Sequence, residues 1–225
     1  MEDRLTPDLW LEMSDLPAGR YTDQQLPRVG ATEGVERATS WANAHPNRRD
    51  LPRRVDEFTT LGVYELGPDA DGERAAAVAP APASGVTRLR FRRTPRPGQG
   101  VLTGKATVGL FLILISPRTP EEGQALRDWA DFTHIRHIAA AAVPGFAMIT
   151  PYERAEPDFT DGPARYLHLY EIDDEDPEAA YRGMVPLVVG RIGEPGSPAF
   201  DAWAGHPALC IDYVNTFRRC GTWSA

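Results

Sequence analysis

The sequence predicts an α+β protein built from two tandem βαββαβ modules, and three observations lead to this prediction. Strand and helix signals in the second half follow the order βαββαβ, which is that of the ferredoxin-like module. Parts of the same pattern recur in the first half. A linker rich in proline and glycine, residues 94–100, separates the two halves. We therefore predict a first module over residues 1–97 and a second over residues 98–225.

The second half shows the pattern most clearly. From Ala106 to Ile115 only Thr107 and Gly109 are not apolar, as expected for a strand that is covered on both faces. Thr119, Pro120 and Glu122 then combine the N-cap, N1 and N3 signals of a helix, which we expect to end near residue 143. The remaining predicted elements are strands at 145–152 and 165–172, helical segments at 178–189 and 198–203, and a strand at 209–218.

The first half repeats this pattern in a shorter form. The strand signal VYEL at 63–66 matches LYEI at 169–172, and FRR at 91–93 recurs at 217–219. We predict a first strand at 8–13, a first helix at 18–31, and a second helix that Pro80 and Pro82 shorten or break. Because a single open sheet would leave apolar surface in water, we expect the two sheets to pack face to face.

Arginines alternate along the predicted fourth strand of the first half, at Arg88, Arg90 and Arg92. We expect them to protect the edge of a sheet from pairing with other chains. The alternative is that they attract a carboxylate or a phosphate.

Composition and charge restrict the class of partner. The chain has 225 residues, 42% of them apolar, and a formal net charge of −8, which argues against general binding to nucleic acid or to anionic membranes. It has two cysteines, no secretory signal pattern and no apolar run that could span a bilayer. We therefore expect a cytoplasmic protein whose partner is a hydrophobic small molecule.

Three motifs of the second half carry a family resemblance. The helix motif WADFTHI at 129–135, the strand entry AVPGF at 142–146 and the strand YLHLYE at 166–171 resemble the EthD-like branch of the dimeric α/β-barrel superfamily. Arg136 departs from the proline that is usual in that helix. The resemblance implies that the two modules form an intramolecular dimeric α/β barrel, a pseudo-dimer that a further homodimer could extend. In the first half, residues 20–27 match the same helix motif less well.

The resemblance also suggests where the chemistry lies. Arg20, Thr22 and Gln25 stand where the second half has Trp129, Asp131 and His134, so we predict a degenerate site in the first half. Asp131, His134 and His137 recur every three residues on one side of the helix. We predict that His134 is a general acid or base and that Asp131 orients its ring. The alternative is a structural histidine bonded to a backbone carbonyl.

The third strand of the second half adds further candidates. His168 alternates with Tyr166 and Tyr170, so the three side chains point to one side of the strand. We expect His168 and Tyr170 to donate hydrogen bonds to a developing oxyanion. The alternative is that all three are core residues with satisfied polar ends.

A substrate-binding set and the absence of a metal complete the site prediction. The residues that we expect to contact substrate are Trp129, Phe132, His137, Phe146, Met148, Tyr166 and Trp203. Core packing is the simpler explanation for the apolar ones. Asp131, His134 and His137, with His168 from the strand, could bind a metal ion in principle. Three successive residues at this helical spacing rarely converge on one ion, so we predict none.

These observations lead to one functional hypothesis and two alternatives. The leading one is a cofactor-independent acid/base enzyme, such as a cyclase, isomerase, dehydratase or decarboxylase. Its substrate would be an aromatic or polyketide-like molecule of secondary metabolism. The first alternative is a monooxygenase, either haem-dependent or cofactor-free. The second is a small-molecule-binding protein without catalysis, because relatives with this fold carry many different functions.

Overall fold

Nine strands form one antiparallel sheet in the computed structural model of this protein, which describes residues 8–68, 70–101, 103–156 and 162–225. The elements of the first half are β1 (Leu9–Ser14), α1 (residues 18–30), β2 (Val35–Asn43), β3 (Thr60–Leu66), α2 (Gly72–Val78) and β4 (Val86–Arg93). The short strand β5 (Gln99–Gly100) follows. The elements of the second half are β6 (Gly109–Pro117), α3 (residues 120–140), β7 (Phe146–Arg154), β8 (Tyr166–Ile172), α4 (Pro177–Ile192), α5 (Pro198–Ala204) and β9 (Leu209–Ser224).

The strand order confirms the predicted fold class. The first half forms the order β4-β1-β3-β2 and the second half forms β9-β6-β8-β7, which is the same ferredoxin-like order. The two sheets join where β2 pairs with β9 and where β4 pairs with β7, so the second strand of each half meets the fourth strand of the other. Both junctions together close an eight-stranded barrel within one chain, and β5 adds to β7. The boundary between residues 97 and 98 stays a prediction.

Closure of the barrel changes the role of the arginines on β4. This strand pairs with β1 on one side and with β7 on the other, so it is not a free edge. The predicted edge protection is therefore wrong. Arg88 instead binds the buried Glu12 carboxylate, and Arg92 forms an ion pair with Glu153.

Apolar side chains from both sheets fill the inside of the barrel. Leu11, Leu112, Leu167 and Phe217 belong to this core and are fully buried. The helices cover the outer faces of the sheet, where separate apolar clusters form beneath them. Any cavity for a ligand between helix and sheet is thus separated from the barrel interior. None of the helices in the described ranges combines the length and apolar character that a membrane span requires.

The local signals located the helices well. The backbone N–H of Thr119 donates to the Glu122 carboxylate at 3.1 Å, as the capping box predicts, although α3 ends at Ala140, before the predicted residue 143. The second helix of the first half is short, as its prolines predict. The last strand extends six residues beyond residue 218, because it pairs with β2 as well as with β6.

Candidate active site

An apolar cavity of about 200 Å³ lies between the outer face of the second sheet and its helices. Its wall includes side chains from β6, β8 and β9, from three helices and from the loop between β2 and β3. The residues discussed below are Leu51, Phe111, Ile113, Trp129, Ala130, His134, His168, Tyr181, Trp203 and Val214. Among the described residues, the polar side chains of this wall are those of two histidines, two tryptophans and a tyrosine.

His134 lies between two tryptophan rings. Its imidazole stacks on Trp203, with ring centroids 5.2 Å apart and an interplanar angle of 7°. The centroid of the Trp129 ring lies 5.1 Å from that of the imidazole, at an interplanar angle of 38°. Nδ1 is 2.9 Å from the backbone carbonyl of Trp203. Because a carbonyl can only accept, Nδ1 carries the proton and Nε2 keeps a free lone pair. Burial lowers the pKa of His134 to about 4, so the ring is neutral at pH 7.

Asp131 does not orient His134, which differs from our prediction. Its carboxylate is 2% exposed, and Oδ1 lies 3.4 Å from Nε2 of His168 on β8. This distance is longer than that of a well-formed hydrogen bond, but catalytic contacts often tighten only when substrate binds. If Nε2 donates to the carboxylate, Nδ1 of His168 is the basic nitrogen. The Asp–His pair of this site is therefore Asp131–His168.

The linker between the two halves supports this pair. Arg96 Nη1 is 2.8 Å from Asp131 Oδ2, and Nη2 is 2.5 Å from Asp128. Gln99 Nε2 donates to the backbone carbonyl of Asp131 at 2.6 Å. The positive charge of Arg96 compensates the burial of the Asp131 carboxylate. Sequence reasoning missed both residues, because a Pro-Arg-Pro segment predicts only a tether.

Tyr170 lies on β8, two residues after His168, and its hydroxyl makes no hydrogen bond among the described residues. Its ring packs edge-on against Phe111 and Phe146, with centroids 5.0 Å and 5.4 Å away. Burial, and to a lesser degree the negative charge of Asp131, raise the pKa of Tyr170 well above its usual range. Tyr170 therefore stays protonated as a potential donor.

The predicted substrate-binding residues divide into two groups. Trp129 and Trp203 line the cavity. The other five lie outside its wall: Phe132, His137, Phe146, Met148 and Tyr166. Phe132 is 56% exposed beneath the Arg96 guanidinium, and Tyr166 is buried against the start of α3. Tyr166, His168 and Tyr170 do share the face of β8 that lies beneath the helices, as the strand alternation predicts.

One wall of the cavity comes from the first half of the chain. Leu51 lies in the loop between β2 and β3 and packs against the core of the second half. Arg48 holds this loop in place, because its buried guanidinium pairs with Glu178 of α4 and donates to Asn215 at 3.3 Å. It also lies 4.6 Å from the ring centroid of Tyr181. No local signal in the sequence indicates this contact between the halves.

The internal repeat shows which residues of the first half stand where the second half has this cavity. Both first helices contain a five-residue π-helical turn, Tyr21–Gln25 in α1 and Ala130–His134 in α3, so Gln25 corresponds to His134. Strand register extends the match. Glu12 faces Gly62 and Arg88 in the first half, as Ile113 faces His168 and Val214 in the second.

In the first half, polar side chains fill the corresponding space. Glu12 is fully buried and accepts hydrogen bonds from Tyr21 at 2.6 Å, from Gln25 at 2.9 Å and from Arg88 at 2.6 Å. A Cβ atom on Gly62 would lie 2.0 Å from the Tyr21 hydroxyl, so this close approach requires glycine.

Smaller or apolar residues replace this network in the second half. Ile113, Ala130, His134 and Val214 correspond to Glu12, Tyr21, Gln25 and Arg88, and all four line the cavity. The second half thus has a cavity at the position where buried polar side chains fill the first half.

The described residues do not offer a metal site at this cavity. In the described part of the chain, no three His, Cys, Asp or Glu side chains are grouped as metal ligands. The cavity of about 200 Å³ is smaller than the roughly 300–1,000 Å³ of pockets for drug-sized ligands.

Comparison with known proteins supports the fold. No protein-family model and no curated protein matches the sequence. An anthrone oxidase-like protein has a similar structure, with 16% identity and a TM-score of 0.56 over 99% of this chain and 95% of that one. A proposed monooxygenase from Lactobacillus acidophilus has 10% identity and a TM-score of 0.52 over 98% and 97% of the two chains. A second proposed monooxygenase, from Fusobacterium nucleatum subsp. nucleatum, has 9% identity and a TM-score of 0.54 over 97% of this chain and 94% of that one. At such identities the likeness establishes the fold alone: this chain has the dimeric α/β-barrel fold, formed by its own two halves.

Proposed function

We propose that this protein is a cofactor-independent enzyme that removes a proton from a hydrophobic aromatic molecule bound in the cavity of the second half. One observation carries the proposal: His168 lies on the wall of an apolar cavity with the buried Asp131 carboxylate behind it. This arrangement supplies a base next to a surface that suits aromatic rings. We therefore propose that His168, and not His134 as predicted from the sequence, is the general base.

The residues of the site have complementary roles in this reaction. His168 accepts the proton at Nδ1, and the imidazolium that forms is stabilised by Asp131, whose charge is balanced by Arg96. The apolar wall excludes water and strengthens these electrostatic interactions. Return of the proton to another atom of the substrate completes an isomerisation or cyclisation. Loss of water instead gives a dehydration.

Cofactor-free oxygenation is the second candidate and shares the first step. The deprotonated carbon of a methylene between two aromatic rings would react with dioxygen to give a carbonyl, and the other oxygen atom would leave as water. The substrate supplies all the electrons, so the reaction needs no other reductant. An apolar wall that contains two tryptophans suits such an electron-rich substrate, and the similar structures include an anthrone oxidase-like protein and proposed monooxygenases.

Exchange of substrate protons with deuterated water tests the shared step. Anthrones and naphthols would be incubated anaerobically with the protein, and exchange at carbon would be followed by NMR against the rate in buffer. We expect catalysed exchange that His168→Gln abolishes and that His137→Gln, at the half-exposed end of the helix, leaves unchanged. Exchange by the His168→Gln variant at the wild-type rate would refute the assignment of the base.

Measurement of oxygen uptake distinguishes oxygenation from acid/base chemistry. Oxygen uptake and a carbonyl product under air would favour oxygenation, whereas a rearranged product without oxygen uptake would favour acid/base chemistry. Tight binding of these compounds without exchange or turnover would favour the non-catalytic alternative.

A further inference from the structure

The polar atoms on the cavity wall differ in what they can offer a ligand. Trp129 Nε1 donates to the backbone carbonyl of Ala202 at 2.7 Å, and Trp203 Nε1 donates to that of His134 at 3.2 Å. Both indole N–H groups are therefore already used. No charged side chain is among the described residues of the wall.

The His134 ring lines the cavity, and its free nitrogen Nε2 carries a lone pair. Its Nδ1–H is held by the carbonyl of Trp203, and stacking on the Trp203 ring fixes the plane of the imidazole. A backbone carbonyl oxygen can only accept, so the fold determines the tautomer of His134. Nε2 therefore accepts hydrogen bonds and does not donate them. A ligand polar group that meets it has to be a donor.

We propose that the cavity selects neutral, compact phenols of at most three fused rings, whose hydroxyl donates a hydrogen bond to Nε2 of His134. This inference rests on the proposed function for the location of the ligand, but it concerns binding and not the base. His134 is then the residue that determines specificity, and His168 remains the residue that takes the proton.

The proposal excludes three kinds of ligand. A carboxylate or phosphate would be buried without a cation, which is strongly unfavourable. A methyl ether of the same shape offers no donor and leaves Nε2 without a partner. A cavity of about 200 Å³ favours compact ligands over long linear ring systems, so the broad polyketide-like class narrows to its smaller phenols.

Three probes of similar shape test this selectivity: 2-naphthol, 2-methoxynaphthalene and 2-naphthoate. Binding to the whole protein would be followed by the fluorescence of Trp129 and Trp203 and by calorimetry at pH 7. We expect 2-naphthol to bind roughly 10- to 100-fold more tightly than its methyl ether, which is the usual effect of leaving one buried polar group unpaired. The naphthoate should show no saturable binding.

Two variants assign the preference to one residue. His134→Phe keeps an aromatic ring against Trp203 and removes the acceptor, so the naphthol and its ether should bind within about twofold of each other. His137→Gln, outside the cavity wall, should keep the wild-type preference. Tight binding of naphthoate, an equal affinity of wild-type protein for naphthol and its ether, or no binding of any probe would each overturn the inference.

The outcomes for binding and for catalysis are distinguishable. If His168→Gln keeps proton exchange while the naphthol preference holds, the base is wrongly assigned and the specificity stands. If exchange depends on His168 but the preference is absent in wild-type protein, the reaction stands and the role of His134 is refuted.

Discussion

The environment of His134 makes the stability of the protein depend on pH. Burial lowers the pKa of this imidazole from 6.5 to about 4 in the folded protein. Between these two values the unfolded chain binds a proton that the folded protein does not. The free energy of unfolding therefore rises with pH across this window and is lost as the pH falls.

The expected size of the effect follows from the same two values. A difference between pKa 6.5 and about 4 corresponds to roughly 3 kcal/mol of unfolding free energy when the pH is well below 4. Most of this loss of unfolding free energy occurs above pH 5, where denaturation can be measured. Between pH 7 and pH 5, His134 alone should reduce the stability by about 2 kcal/mol.

Urea denaturation of two proteins at both pH values isolates this contribution. His134→Gln introduces the side chain that the first half carries at Gln25 and removes the titrating group, while all other groups titrate in both proteins. We expect wild-type protein to lose about 2 kcal/mol more than the variant between pH 7 and pH 5. Equal losses in wild type and His134→Gln would refute the argument that burial keeps His134 neutral.

Three further substitutions test other parts of the structure. Gln25→Ala removes one donor to the buried Glu12, so we expect thermal or urea unfolding to show a loss of about 1–3 kcal/mol while turnover changes little. Asp131→Asn should lower kcat roughly 100-fold, whereas Asp128→Asn, which removes the exposed partner of the same arginine, should change kcat less than about twofold. Arg48→Met breaks a buried ion pair and should cost about 3–5 kcal/mol in urea unfolding, with weaker ligand binding because the loop that carries a cavity wall is released.

The sequence by itself was sufficient for the order of the elements. Thr119 and Glu122 mark the start of α3 through contacts between neighbours in the chain, and such contacts leave a direct signature. The alternating YLHLYE segment predicts correctly which side chains share a face of β8. Aligning the repeats placed Gln25 opposite His134, and the two π-helical turns coincide with that alignment.

Only the tertiary structure decided which groups work together. Asp131 and His134 are three residues apart and would share a face on a regular α-helix, but both lie in a π-helical turn, whose wider winding changes the direction of the side chains. Asp131 thus contacts His168 on β8, and His134 contacts the carbonyl of Trp203. Neither partner can be read from local spacing.

The sequence also did not predict the contacts between segments that are distant in the chain. Arg96 reaches Asp131 across 35 positions, and Leu51 crosses from the first half to the cavity of the second. The closure of the barrel turned β4 from a supposed edge into an internal strand. Local capping and periodicity determined the elements of this protein, because they act between neighbours in the chain. The packing of elements that are distant in the sequence decided its site, because partners, tautomers and cavity walls depend on side chains that meet only in the folded barrel.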